Sequence, residues 1–188
     1  MGHSQAEKAQ NRERILAEAA RQARDAGLES ISVGALMKSV GLTHGGFYGH
    51  FESRSALLAE ALERALTDGQ SRAKGQVGAG SRRFVDMVRS YLSRTHRDTR
   101  DRGCAMAALV GDVGRADDAS RRTMEGHLEG FIASTAEILG GDEDKAMLAV
   151  SAMIGALAIS RVLTDPARSD ALLRGVRGQL AKLEVEGA

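Results

Sequence analysis

Cysteine, histidine and tyrosine are the side chains of this chain with the most chemistry to offer, and they are few. The 188 residues include one Cys, five His and two Tyr. Cys104 opens an apolar run that extends to Val113, where Arg102 and the N-terminus of a helix could favour the reactive thiolate form. A free Cys is more often a small buried apolar residue. Two interpretations therefore stay open for Cys104: packing, or reaction with electrophiles and oxidants.

Several kinds of active site are absent from the sequence. It has no glycine-rich phosphate loop of Walker spacing, no His-Glu-x-x-His motif and no serine nucleophile elbow. His96 or His127 could form a dyad with Cys104, but pairs of this kind arise by chance. A single Cys excludes a disulfide framework or a Cys-rich metal site and favours a reducing, cytoplasmic compartment. We predict a protein that is not an enzyme and needs no metal or cofactor.

The stretch from Ile31 to Leu58 has the most informative spacing of turn and polar residues. Gly41 permits a tight turn, and Thr43 after it can cap a short helix that runs towards His50. Two short helices joined by such a turn can bury little surface on their own, so they must pack on longer helices. Together with the long helix before them they should form a compact three-helix unit.

The second short helix carries groups that suit DNA. His44 lies in its first turn, where a side chain can reach a base edge, and Gly45 leaves room for close approach. Thr43, Tyr48 and His50 carry hydroxyl or imidazole groups suited to phosphate oxygens. These residues are our candidates for a nucleic-acid contact.

The same stretch resembles the N-terminal DNA-binding region of TetR-type transcriptional regulators, the TetR/AcrR family. That family has a Gly-apolar turn, an aromatic pair in a short recognition helix, a His-Phe pair and a Ser-Lys start to a long connecting helix. The matching residues here are Gly41-Leu42-Thr43, Phe47-Tyr48, His50-Phe51 and Ser53-Arg54. The sequence departs from the pattern at Gly49, where a side chain is usual, and at Arg54, where Lys is usual. The resemblance and the polar groups together imply these DNA-binding residues: Ser32, Thr43, His44, Gly45, Tyr48, His50 and Arg54.

Net charge does not identify the partner. The whole chain carries +1, and its first 64 residues hold eight basic and eight acidic side chains. Attraction to phosphate would then depend on a local basic group on one face, made of Arg12, Arg14, Lys38 and Arg54. DNA binding through such a group should weaken steeply with salt.

Helical periodicity must position these residues. Apolar residues recur at spacings of three and four, and the chain has a single Pro and 3% aromatic residues. A first helix is predicted from Ala6 to Ala26, ending at Gly27, and Ser53 can cap a long connecting helix. We predict an all-α fold of about nine helices. A three-helix helix-turn-helix unit occupies residues 1–52, and a helical effector-binding and dimerisation domain occupies residues 53–188.

The last two predicted helices suggest self-association. One runs from Glu143 to Leu163 after an Asp142 cap and is stopped by Pro166, and the other runs from Ser169 to Leu183. The first of them is rich in small residues at helical spacing: Ala149, Ala152, Gly155, Ala156, Ala158 and Ser160. Such residues suit a packing seam inside the chain. The resemblance implies instead a homodimer held by a four-helix bundle.

A membrane span is not predicted. The most apolar stretch, Ala146 to Leu163, is interrupted by Ser151, Ser160 and Arg161. The first 18 residues carry charges throughout and have no apolar core of a secretory signal.

The resemblance also implies a small-molecule pocket in the second half. Candidates for its lining are Met87, Tyr91, Cys104, Met124, His127 and Phe131. Ordinary core packing is the alternative for each, while Met adapts well to irregular cavities. The function implied is a ligand-responsive DNA-binding regulator, most simply a repressor released from its operator by a small-molecule effector. The alternatives are a helical binding module or enzyme without DNA recognition, and a variant of the regulator that senses oxidants or electrophiles through Cys104.

Overall fold

The computed structural model describes residues 5–76 and 84–184 of the chain. The α-helices in these residues are α1 (Gln5–Ala26), α2 (Val33–Ser39), α3 (Arg54–Gln76), α4 (Phe84–Tyr91), α5 (Arg94–Asp98), α6 (Ala105–Val113), α7 (Asp118–Ile138), α8 (Glu143–Val162) and α9 (Pro166–Leu180). Short 3-10 helices cover Leu28–Ser30, His44–Gly49, Arg100–Arg102 and Ala181–Leu183. We call the second of these the 44–49 helix and the third the 100–102 turn. The predicted all-α fold is confirmed.

The N-terminal helices form a unit around α1 and α3. The buried stripe of α1 is mainly alanine, with Ala19, Ala20 and Ala23 fully buried, and Ala61 and Ala65 of α3 are buried as well. Small side chains let two helix backbones approach closely, so α3 lies along α1. The short α2 packs on α1, and the 44–49 helix packs on α2, as two helices of so few residues require.

Gly27 ends α1 as predicted, and two features require glycine there. Its φ of +89° lies in the left-handed region, where a side chain is strained. A Cβ at this position would also lie 3.0 Å from an Asp112 carboxylate oxygen on α6. The end of the first helix is thus in contact with a helix of the second half.

Helix α8 is at the centre of the second half and packs against α7 and α9. It begins as predicted, because the Asp142 carboxylate accepts a hydrogen bond of 3.0 Å from the amide of Lys145. Before it, α7 ends at Ile138, and the φ angles of 73° and 89° at Gly140 and Gly141 prevent the helix from continuing.

Four local predictions differ from the structure. Residues 44–49 form a 3-10 helix rather than an α-helix, and neither Ser32 nor Thr43 uses its side chain as a cap. Ser53 does, accepting from the amide of Ala56 at 3.0 Å. The last helix begins at Pro166 rather than Ser169, because proline lacks only an N–H that the first turn leaves unbonded. Neither α5 nor the 100–102 turn was predicted, since both are polar and carry no apolar periodicity.

The boundary between residues 52 and 53 stays a prediction. It coincides with the start of α3 at Arg54, but α3 packs along α1 and also contacts α6 and α7.

Candidate nucleic-acid interface

The turn before the 44–49 helix is built by Gly41. Its φ of +74° is left-handed, its amide donates to the Lys38 carbonyl at 3.0 Å, and the Leu42 amide donates to the Met37 carbonyl at 2.8 Å. This pair of bonds is a Schellman motif, which ends α2 and reverses the chain. The predicted tight turn is therefore present, and glycine supplies its backbone angle.

Aromatic side chains fix the 44–49 helix on the side that faces the core. Phe47 is 1% exposed and stacks on Phe51 with ring centroids 5.7 Å apart. Tyr48 meets Phe47 edge-on, with centroids 5.2 Å apart. Pairs of this geometry add specific orientation to simple burial. A short helix with three glycines thus keeps one position because one of its side chains is anchored in the core.

The outer face of the same helix consists of exposed polar side chains and of glycines, which leave the backbone uncovered. Tyr48 is 69% exposed, and Thr43 and His44 are exposed beside it. A Cβ added at Gly45 or at Gly49 would meet nothing within 4 Å. Neither glycine is needed for packing or for a left-handed φ, so the fold itself does not explain them. They leave the backbone open to a close partner.

Two other predicted contact residues, Arg54 and His50, are partly engaged inside the protein, and a third is exposed. The Arg54 guanidinium donates to the Ile31 carbonyl at 3.2 Å and to the Glu29 carboxylate at 3.0 Å. His50 is half-buried, and its carbonyl accepts from Arg12 at 3.3 Å. Ser32 is exposed at the start of α2. Arg54 thus fastens the start of α3 to the segment before α2.

The predicted basic group is weaker than its residue types suggested. Arg12 forms a two-bond ion pair with Glu60 at 2.6 and 2.7 Å and lies 4.7 Å from the centre of the Phe51 ring. Arg14 donates to the Val40 carbonyl at 2.6 Å, while Lys38 is exposed. Sequence counting could not show these partners, because Glu60 and Val40 are far from the arginines along the chain.

Part of the predicted pocket set comes together in the second half. The Tyr91 hydroxyl donates to the Cys104 sulfur at 3.1 Å, and the Tyr91 ring stacks on Phe131 with centroids 5.8 Å apart. Met124 is buried and Met87 is half-buried within the same core cluster. Burial is the main cause that raises the pKa of Tyr91 well above its ordinary value, and the neighbouring Cys104 adds to it.

His96 is a member of this cluster that sequence reasoning placed only in a chance dyad. Its Nε2 accepts a 2.9 Å hydrogen bond from the Cys104 amide, and its Nδ1 lies 2.7 Å from the Tyr91 carbonyl. This pattern requires a neutral ring with the proton on Nδ1. Burial lowers the pKa of His96, which favours the same form. His96 therefore holds the backbone of Cys104 and does not act as a base for its thiol.

His127 has a partner on α3. Its Nε2 is 3.2 Å from both carboxylate oxygens of Glu63 on α3, so it joins α7 to the connecting helix. Among the described residues, one surface concavity lies between α8 and α9 and another beside α1 and α3. None of the six predicted pocket residues lines either of them. No group of three metal-ligating side chains occurs among the described residues.

An apolar face extends over α8 and α9. Leu148, Ile159 and Val162 of α8 are more than half exposed, with Val162 at 78%. A groove of about 290 Å³ lies between the two helices. Its lining is almost wholly apolar or small: Leu148, Ala152, Gly175, Val176, Gln179, Leu180 and Leu183. By length and composition α8 could cross a membrane, but 44% of its apolar window is buried inside the fold.

A known family matches the N-terminal part of the sequence. The family described as bacterial regulatory proteins, tetR family, matches residues 15–61. That range covers most of α1, all of α2 and the 44–49 helix, and the start of α3. No curated protein matches the sequence.

Several solved structures share the fold of the whole chain. A TetR-family transcriptional regulator from Cytophaga hutchinsonii is 20% identical, with a TM-score of 0.80 over 99% of this chain and 100% of that one. NemR of E. coli in its reduced form is 19% identical, with a TM-score of 0.77 over 95% and 99% of the two chains. A TetR transcriptional regulator from Legionella pneumophila is 16% identical, with a TM-score of 0.74 over 98% and 100%. At these identities the likeness concerns the fold.

Proposed function

We propose that this chain is a ligand-responsive repressor of the TetR type, because its residues 15–61 match the tetR family and its fold is shared with TetR-family structures. Two copies bind one double-stranded DNA operator, each placing its 44–49 helix in the major groove. A small-molecule effector bound in the second half releases the operator. The single free Cys fits the cytoplasm, where such a protein meets DNA.

The observation that carries the DNA-binding part is the outer face of the 44–49 helix. It combines polar side chains at Thr43, His44 and Tyr48 with glycines that no packing requirement explains. Base edges and phosphates are recognised by such side chains and by main-chain amides that approach closely. The buried Phe47 keeps this face in one position, which reduces the ordering cost of binding.

The proposed dimer is supported by the apolar face of α8 and α9. A monomer that exposes Leu148, Ile159 and Val162 together presents the kind of patch that marks an interface. A second copy packed on this face would form a four-helix bundle and bury the groove. Two-fold symmetry would then present two 44–49 helices to two half-sites on one side of the duplex.

The proposed response to effector is a two-state change. Helix α3 begins directly after the 44–49 helix and contacts α6 and α7, so a shift of those helices would tilt it. A tilt changes the distance between the two DNA-reading helices of the dimer. Moving most molecules from one state to the other needs an effector that prefers it by several kcal/mol, about 5.5 for a shift from 1:99 to 99:1.

The experiment for DNA binding starts from random sequence, because no operator is assumed. Duplexes retained by the full chain are sequenced, and the affinity of the selected site is compared for wild type and for His44→Ala/Tyr48→Ala. We expect an affinity loss of about 10²-fold or more, since two base or phosphate contacts are removed. The matched control is Glu125→Ala/Glu129→Ala on the exposed side of α7, which should bind as wild type.

The salt dependence of binding and a selection at low salt distinguish a DNA-binding regulator from a protein without DNA recognition. Affinity for the selected site should fall steeply with salt, as phosphate contacts require. If no sequence is enriched even at low salt, the chain is a helical binding module or an enzyme without DNA recognition. The neutral N-terminal region and Gly49 are the features that would favour that second function.

A sensing role for Cys104 is a variant of the first function. Its thiol is partly exposed at the start of α6 and accepts the Tyr91 hydroxyl at 3.1 Å, and one similar structure is a NemR in its reduced form. N-ethylmaleimide or hydrogen peroxide should then weaken DNA binding by wild type and leave Cys104→Ser unaffected. An equal response of both proteins would assign Cys104 to packing alone.

A further inference from the structure

Arg24 is a buried charged residue that joins three elements. It lies near the end of α1 and is 3% exposed, which is rare for arginine unless the charge has partners. Its Nε donates to the Asp101 carbonyl at 2.7 Å, and one Nη donates to the Ala65 carbonyl at 3.4 Å. The same Nη lies 3.5 Å from an Asp68 carboxylate oxygen. One side chain thus holds α1, α3 and the 100–102 turn together.

A second arginine holds the same segment from the other side. Arg161 of α8 donates to the His96 carbonyl at 3.1 Å and to the Arg97 carbonyl at 3.2 Å. Its guanidinium also covers Gly103, where a Cβ would lie 2.9 Å from an Arg161 nitrogen. The segment from 96 to 103 is therefore fixed between α8 and the N-terminal unit.

The chemistry of the two links suits the transmission of small movements. The acceptors at Asp101, His96 and Arg97 are main-chain carbonyls, so each arginine responds to the position of the backbone itself. A guanidinium offers several donors in a rigid plane and can hold two elements at once, which a lysine ammonium does less well. Leaving any of these partly buried acceptors without its donor would be costly.

We propose that Arg24 is a positioning residue that sets the orientation of the N-terminal unit relative to the second half. The 100–102 turn leads through Gly103 to Cys104 and α6. A displacement of that turn moves the Asp101 carbonyl, and Arg24 carries the movement to α1 and α3. The link itself stands independently of DNA, and only its effect on operator affinity rests on the proposed function.

The test measures the orientation of the unit directly. Spin labels are placed on two exposed positions, Ala35→Cys on α2 and Glu129→Cys on α7, in a Cys104→Ser background. Labelled chains are diluted into an excess of unlabelled chain, so that distances are read within one chain whatever the oligomeric state. Electron–electron double resonance then gives the distance distribution for each variant.

Three variants decide the outcome. Arg24→Met should broaden the distribution at least twofold, and Arg24→Lys should broaden it less, since lysine can keep one acceptor. The control is Arg121→Met on the exposed side of α7, whose ion pair with Asp118 stays within its own helix; it should match wild type. DNA affinity on the selected site should fall with Arg24→Met and not with Arg121→Met.

The distance distribution separates positioning from plain stability. An Arg24→Met distribution with the centre and width of wild type overturns the proposal, even if urea shows a lower free energy of unfolding. If Arg24→Met does not fold, as judged by circular dichroism, an unchanged distribution in Arg24→Lys has the same consequence. If the distribution broadens but no DNA is ever selected, the proposed function fails and the positioning role of Arg24 stands.

Discussion

Two exposed surfaces of this molecule are opposite in chemistry. The 44–49 helix presents hydroxyl, imidazole and bare backbone around Tyr48, on a helix with a single buried anchor. Helix α8 presents Leu148, Ile159 and Val162 to solvent, on a helix whose other side is core. The first surface has hydrogen-bonding groups and little apolar area, whereas the second has apolar area and few polar groups.

This difference in chemistry indicates which kind of partner each surface can bind. A polar, glycine-rich surface gains little from simple burial, so its partner must supply many acceptors in fixed positions, as a DNA groove does. An apolar surface gains from losing water, so its partner needs a matching apolar shape, and a second copy of the same helices has one. The buried Arg24 lies between the two regions and ties the first to the elements that support the second.

The largest expected effect comes from placing a charge in the apolar face. Ala152→Glu puts a carboxylate in the groove between α8 and α9, where a dimer would have to bury it without a partner. We expect the mass in solution to fall to the 19.9 kDa of one chain. DNA affinity should fall by roughly 10²-fold, because two linked binding units become independent.

Analytical ultracentrifugation and binding to the selected duplex measure these two effects. Ala133→Glu, on the exposed side of α7, is the matched control and should change neither. A dimer that survives Ala152→Glu would show that the apolar face is not the interface.

The next effect tests whether the polar surface depends on its anchor. Phe47→Ala removes a buried ring from the N-terminal unit and should lower the free energy of unfolding by about 3–5 kcal/mol. DNA binding should be lost while the dimer persists, because α8 and α9 are untouched. Urea unfolding followed by circular dichroism, with ultracentrifugation alongside, measures both quantities. Simultaneous loss of the dimer would mean that the two surfaces are not independent.

A smaller effect is expected at Gly45, where one substitution should change the stability of the fold and the affinity for DNA in opposite directions. Gly45→Ala adds a methyl group in open space and should stabilise the chain by about 0.5–1 kcal/mol. The same methyl group would separate the backbone from DNA, and we expect affinity to drop about tenfold, which corresponds to about 1.4 kcal/mol. Gly130→Ala on α7, also in open space, should gain similar stability and keep full affinity. Unchanged DNA binding by Gly45→Ala would remove the close-approach explanation for the glycines.

The smallest expected effect is a pH dependence of stability that arises from His96. Burial lowers the pKa of His96 below its ordinary value of 6.5, so the unfolded chain takes up a proton at higher pH than the folded chain does. Acidification below about pH 6.5 should therefore destabilise the fold through this residue. The melting temperature of wild type should fall more steeply than that of His96→Asn over this range. Parallel curves for the two proteins would show that His96 is not held neutral.

Agreement between sequence and structure is best where a local rule fixes the backbone. The ends of α1 at Gly27 and of α2 at Gly41 follow from left-handed angles that glycine adopts easily, and Asp142 and Ser53 cap helices as their residue types predict. The start of α9 at Pro166 was missed because a proline that ends one helix can also begin the next.

Agreement is poorest where a side chain finds a partner far along the chain. Arg54 has the residue type of a phosphate contact, yet its guanidinium holds Ile31 and Glu29. His127 was grouped with the predicted pocket, but its ring nitrogen pairs with Glu63 of α3. His96 gained its role only from the 2.9 Å bond to the Cys104 amide, a contact that no spacing rule predicts.

The sequence by itself determined the helical class, the tight turn at Gly41 and the resemblance of residues 15–61 to a known family, because each depends on residues that are neighbours along the chain. Tertiary structure alone decided which charges are already paired, which glycines face open space and which apolar residues of α8 stay in water. Those properties depend on contacts between α1, α3, α8 and the 100–102 turn. Such contacts form only when helices distant in sequence pack together, and there Arg24 becomes a buried link instead of one more surface charge.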